Sequence, residues 1–142
     1  MRRFKFNMEK ILQLRKFKEE ECKIALGQAI SALNKIENEI KMTALKRHNA
    51  AAQRFSNPAE ILSWDNYINR LELEAEKLAN KAAQAEVVVE QKRTLYLEAQ
   101  RDLKAIEKLK EKQQKEYRKE MLNLEMNQVD ELTTSRLVIG TF

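Results

Sequence analysis

Phe55-Ser56-Asn57-Pro58-Ala59-Glu60 holds the single proline of a 142-residue chain. Proline fits the first turn of a helix, where its missing N–H has no intrahelical partner to lose. Asn57 is a favoured N-cap residue, and Glu60, three positions on, has the spacing of a capping box. One helix therefore stops near Phe55 and another starts at Pro58.

Downstream of Pro58, apolar residues recur at alternating steps of three and four: Ile61, Trp64, Ile68, Leu71, Ala75, Leu78, Ala82, Ala85, Val89. The same phase continues through Lys92, Tyr96, Ala99, Leu103 and Ile106, then Lys110, Gln113, Tyr117 and Leu124 with weaker apolar character. Such steps average 3.5 residues, the repeat that holds one stripe against a partner helix in a left-handed supercoil. Upstream, a matching seam runs Met8, Leu12, Arg15, Cys22, Leu26, Ala29, Leu33, Ile36, Ile40, Thr43. Near its start Ile11, Leu14 and Phe17 widen the apolar face, and Gly27 falls beside the seam. That glycine is either a site of close helix approach or a local defect.

Two amphipathic helices joined by a short connection become antiparallel neighbours. The sequence therefore predicts an all-α fold, a long antiparallel two-helix coiled-coil hairpin forming a single domain. Helix 1 is expected over 5–55, the turn at 56–58 and helix 2 over 58–133. The β-branched segment 134–142 is expected to be a flexible tail. Helix lengths of roughly 50 and 75 residues correspond to about 75 and 110 Å. Folding at Asn57 sets Ile40 opposite the neighbourhood of Ala75 and Met8 opposite that of Ile106. Everything after about Glu111 then overhangs, carrying Tyr117, Met121, Leu122, Leu124 and Met126.

Composition agrees with this reading. The chain has only 2 Gly, and charged residues make up 35% of it, a bias suited to solvent-exposed helices. No apolar run is long enough to span a membrane. The basic start lacks the apolar core and cleavage site of a secretory signal. The lone Cys22 fits a reducing compartment and reads as a small core hydrophobe.

No phosphate-binding glycine loop and no metal-ligand spacing is present, so no cofactor or metal site is expected. His48, the single histidine, lies in a charged stretch and reads as a solvated surface group. The chain is expected not to be an enzyme; contact with partners must be its function. Lys92 and Lys110 on the seam either snorkel, with stems packed and ammonium groups in water, or help to fix register. Trp64 is placed to cover the hairpin end, while Tyr67, off the seam, is freer to meet a partner.

Charge divides unequally. Residues 1–57 carry 13 Lys and Arg against 6 Glu, whereas residues 58–142 carry 14 Lys and Arg against 16 Asp and Glu. The first eighteen residues concentrate Arg2, Arg3, Lys5, Lys10, Arg15, Lys16 and Lys18 against Glu9 alone. The segment expected opposite them adds Lys104, Lys108, Lys110, Lys112, Lys115, Arg118 and Lys119. The free end of the hairpin is thus a basic tip.

The opening, Phe4-Lys5-Phe6-Asn7-Met8-Glu9-Lys10-Ile11-Leu12-Gln13-Leu14-Arg15-Lys16 with Glu19-Glu20-Glu21 after it, resembles the start of the flagellar FliJ proteins. Length and architecture match as well. The resemblance implies a cytoplasmic component of the flagellar type III export apparatus, peripherally associated with the inner face of the membrane at the flagellar base. It implies a monomeric stalk whose free helix ends enter and promote a hexameric export ATPase. It also implies contact with the cytoplasmic domain of the export gate and with export chaperones. On this sequence the ATPase-facing groups would be Arg2, Arg3, Phe4, Phe6, Lys10 and Arg15. The gate-facing surface maps to Tyr67 and Leu71 on the second helix. On the first helix it falls on Glu39, Thr43, Lys46 and Ala50, without the tyrosines of some relatives.

Two other classes compete with that expectation. One is a scaffolding coiled coil that self-associates through the overhang around Tyr117 and Leu124, with no ATPase partner. The other is nucleic-acid or anionic-membrane binding by the basic end, which would be strongly salt-dependent. Glu residues return through both helices and no nucleic-acid motif is present, so no nucleic-acid partner is expected.

Overall fold

A computed structural model describes the backbone of residues 3–140 and the side chains of residues 3–136. Arg2 and the side chains of Leu137, Val138, Ile139 and Phe142, in the expected flexible tail, lie outside the described residues. Two helices, α1 (Glu9–Ala51) and α2 (Pro58–Gly140), account for nearly all of the chain, and the described residues contain no strand. They pack as the expected all-α helical hairpin. Contacts group the chain into two units: a turn unit, Glu19–Ala99, and a terminal unit formed by residues up to Lys18 and from Gln100 onward.

In the turn unit the chain leaves α1 at Ala51, earlier than the expected 55. Asn57 caps α2 as its chemistry dictates: its Oδ1 accepts the Ala59 N–H at 3.1 Å. The reciprocal half of the capping box is not made. The Asn57 carbonyl accepts the Glu60 N–H at 3.1 Å and that of Ile61 at 3.2 Å. Residues 52–57 form the connection, and Phe55 folds against Trp64 with ring centroids 5.6 Å apart. The Trp64 indole N–H donates to the Ala50 carbonyl at 2.6 Å. That last-turn carbonyl also accepts the Gln53 N–H at 3.2 Å, so the indole supplies its second bond.

Burial follows the seam. Ala50, Leu71, Leu78, Val89 and Ala99 are buried, and Thr43 joins them at 5% exposure. Ile40 and Ala75 line one groove, the pairing expected from folding at Asn57. Cys22 is half-buried on the seam. Ile61 departs from the pattern: it is 50% exposed, because α1 has already ended and Trp64 with Phe55 closes the unit below it. Gly27 marks no close approach; nothing lies within 4 Å of a β-carbon placed there.

The terminal unit is built differently from a simple helix pair. Leu12, 2% exposed, packs with Ile106 and Phe6, and Phe4, Met8 and Leu103 close around them. Met8 thus meets Ile106, as the register predicts. Residues 3–6 are not helical, although the sequence suggested a helix from residue 5. Two residues apart on a helix, Phe4 and Phe6 would diverge by about 200°. In an irregular, more extended segment residues i and i+2 share a face, and both rings reach α2. The Phe6 carbonyl accepts the Glu9 N–H at 3.2 Å, turning the chain into α1.

This N-terminal strap covers more of α2 than a helix of the same residues would, because extended chain advances farther per residue. Phe4 stacks on Tyr117 at 5.6 Å. The uncovered part of α2 therefore starts after Tyr117 and the half-buried Met121, not after Glu111. Beyond it Leu122, Leu124, Met126, Val129 and Leu132 are 56–64% exposed. α2 continues to Gly140 instead of ending at 133. Thr and Val disfavour helix by only about 0.5 kcal/mol each relative to Ala, too little to stop a helix without a breaker.

Candidate functional site

The terminal unit carries the basic end. Between residues 3 and 18 stand six cations and one acid, Glu9. Arg3, Lys5, Lys10, Lys16 and Lys18 are exposed. Two cations that look equivalent in sequence are tied down. Lys110 Nζ lies 3.0 Å from Glu9 Oε2, so this seam lysine joins α2 to the start of α1 and serves register. The Arg15 guanidinium donates to the Asp102 backbone carbonyl at 2.9 Å, which fixes it along α2. The Lys110 ammonium beside Glu9, with a hydrogen bond from Gln13 at 3.1 Å, holds the Glu9 carboxyl below the usual carboxylate range.

The sequence-predicted tip residues separate into three groups. Arg3 and Lys10 are exposed cations free for a partner; Arg15 is half-buried. Phe6, 8% exposed, and the half-buried Phe4 belong to the core of the unit, not to its contact surface. Their rings complete the seam where α1 has not yet begun. Ile11, Leu14 and Phe17, which widen the apolar face in the sequence, are 40%, 66% and 62% exposed. Their spacing off the Met8–Leu12–Arg15 phase was the available signal.

The gate-facing set divides in the same way. Leu71 and Thr43 are buried in the helix–helix seam at 4% and 5% exposure, so neither is a surface contact. Both sit at seam positions in the very heptad phase that defines the hairpin. Glu39 is exposed, and Tyr67 is 38% exposed with the Arg70 guanidinium 5.9 Å from its ring centroid. A shallow groove at the turn brings Tyr67 together with Phe55, Trp64 and Arg54. Opposite charges meet across the helices at Arg47 and Glu72, 3.0 Å apart and exposed; such a pair contributes about 0.2–1 kcal/mol.

Among the described residues no group of three His, Cys, Asp or Glu side chains is arranged to hold a metal. No described helix is long and apolar enough to cross a membrane. What the surface offers is helix faces, exposed cations and apolar stripes, all suited to binding other macromolecules.

Comparison with known proteins extends this. No curated protein and no solved structure matches the chain. The family model described as flagellar FliJ protein matches residues 4–139. The chain therefore belongs to the FliJ family, a non-catalytic component of the flagellar export apparatus.

Proposed function

We propose that the chain is a coiled-coil stalk that docks by its basic terminal unit onto the hexameric flagellar export ATPase and promotes its activity without hydrolysing ATP. The observation that supports this is the set of exposed cations Arg3, Lys5, Lys10, Lys16 and Lys18 around one acid. A ring lined by acidic groups would attract such a surface, and charge complementarity speeds and orients docking more than it tightens it. Adding purified chain is expected to raise the ATPase rate of the cognate hexamer. Reversing charge at Arg3 and Lys5 should remove the effect with helicity intact, and an unchanged rate on adding the wild-type chain sinks the proposal.

In the same reading the chain engages the cytoplasmic domain of the export gate and receives unloaded export chaperones. That work keeps it in the cytoplasm at the inner face of the membrane beneath the flagellum, as a peripheral component. With Thr43 and Leu71 packed between the helices, the gate contact falls to Tyr67 and Glu39. Tyr67→Ala is expected to weaken binding to the gate domain and leave ATPase stimulation untouched.

A second reading has its own support. The exposed residues Leu122, Met126 and Val129, which share one face of α2 at steps of four and three, support self-association of a scaffolding coil through the far part of α2. Sedimentation velocity over a range of concentrations separates the two, since a concentration-independent monomer removes the scaffold.

A further inference from the structure

Ile11, Leu14 and Phe17 follow one another at steps of three on α1 and are 40%, 66% and 62% exposed. Residues so spaced make one oblique ridge of the i±3 kind, the shape that seats in the groove of another helix. The α2-facing positions nearby are already filled by Leu12, with Phe6 and Ile106 beside it. The ridge therefore adds nothing to the core of its own unit. A single exposed leucine would need no explanation.

What distinguishes this ridge is its charge setting. Leu14 shares its i±4 row with Lys10 on one side and Lys18 on the other. Both lysines are exposed, and neither makes an ion pair among the described residues. Lysine stems lie along apolar surface while their ammonium groups reach outward to carboxylates. The complement of such a ridge is an apolar groove between helices with an acidic rim. Exposed Glu20 and Glu21 follow at i+3 and i+4 from Phe17, so the cationic part of the ridge is the stretch around Leu14.

We propose that Ile11, Leu14 and Phe17 are the apolar anchor by which this end of the chain seats in an acidic-rimmed helical groove of a protein partner. The inference rests on the docking proposed above. It moves the aromatic contact from Phe4 and Phe6, whose rings the chain keeps for its own core, to Phe17.

The test uses the full-length chain carrying Leu14→Ser and Phe17→Ser together, with Leu73→Ser and Val87→Ser as the control pair. The control side chains are 58% and 57% exposed in the turn unit. Affinity for the cognate export ATPase is measured by titration calorimetry, with circular dichroism on every variant. The ridge pair is expected to lose affinity by at least about tenfold, the scale of a lost interface anchor, while helicity and the control pair remain unchanged. Wild-type binding that the ridge pair retains in full overturns the anchor and leaves the stalk standing. Absence of wild-type binding overturns both. Vesicles of phosphatidylcholine and phosphatidylglycerol at three to one are the second arm. Retention of the wild-type chain that the ridge pair loses would make lipid the occupant and overturn the protein groove.

Discussion

At the scale of single residues, Leu12 and Gly27 mark the two extremes of constraint in α1. Leu12 is 2% exposed between Phe6 and Ile106, and truncating a leucine so enclosed costs about 2–5 kcal/mol through lost transfer energy and cavity. Leu12→Ala is expected to lower the urea midpoint accordingly. Gly27 meets open space instead, so Gly27→Ala gains helix propensity with no clash. The expected stabilisation is about 0.5–1 kcal/mol, read from the same urea titration. Glu9 gives a pH signature. Its carboxyl pKa is lowered in the folded chain, chiefly by the hydrogen bond from Lys110. A group depressed on folding stabilises above its ordinary range and loses that contribution as pH falls through the folded value. The melting temperature should therefore fall less on acidification in Glu9→Gln than in the wild type.

At the scale of elements, the turn rests on a few bonds that a substitution can isolate. Trp64→Phe keeps an aromatic ring beside Phe55 but removes one of the two N–H donors on the Ala50 carbonyl, leaving that of Gln53. The expected cost is about 1 kcal/mol, with faster amide exchange confined to the end of α1. The seam was legible in the sequence almost residue by residue, because a two-helix contact leaves one repeating stripe and nothing else to fit. Trp64 through Ile106 and Met8 through Thr43 all read correctly. The strap was not legible: Phe4-Lys5-Phe6 looks like exposed aromatic bait among cations. Only the three-dimensional end of α1 shows that two rings two residues apart can both reach α2. For the same reason the burial of some candidate contacts was not legible. Phe4 and Phe6 stand among the expected contacts because a sequence pattern records hydrophobicity and phase, not which apolar group the partner helix covers. Thr43 and Leu71, by contrast, lie on the seam in the sequence as in the structure. The i±3 ridge at Ile11, Leu14 and Phe17 reads in the sequence only as a widened apolar face, by the same ambiguity.

At the scale of the whole molecule, stability and recognition draw on different residues. Every described side chain from Leu122 to Arg136 is exposed, so this stretch contributes no burial to the hairpin. Ending the chain at Met121 is expected to change the melting temperature by less than about 4 °C. A larger fall would show that the far part of α2 supports the fold. The strap has the opposite character. Phe4 rests on Tyr117, a residue 113 positions later in the chain. At about 5–20 residues per second, many seconds of synthesis separate the two rings. Through that interval the rings of the strap and the side chain of Leu12 have no α2 to cover them. A bulky fusion placed ahead of residue 3 would wedge the same join apart for good, whereas one placed behind the final residue would leave it alone.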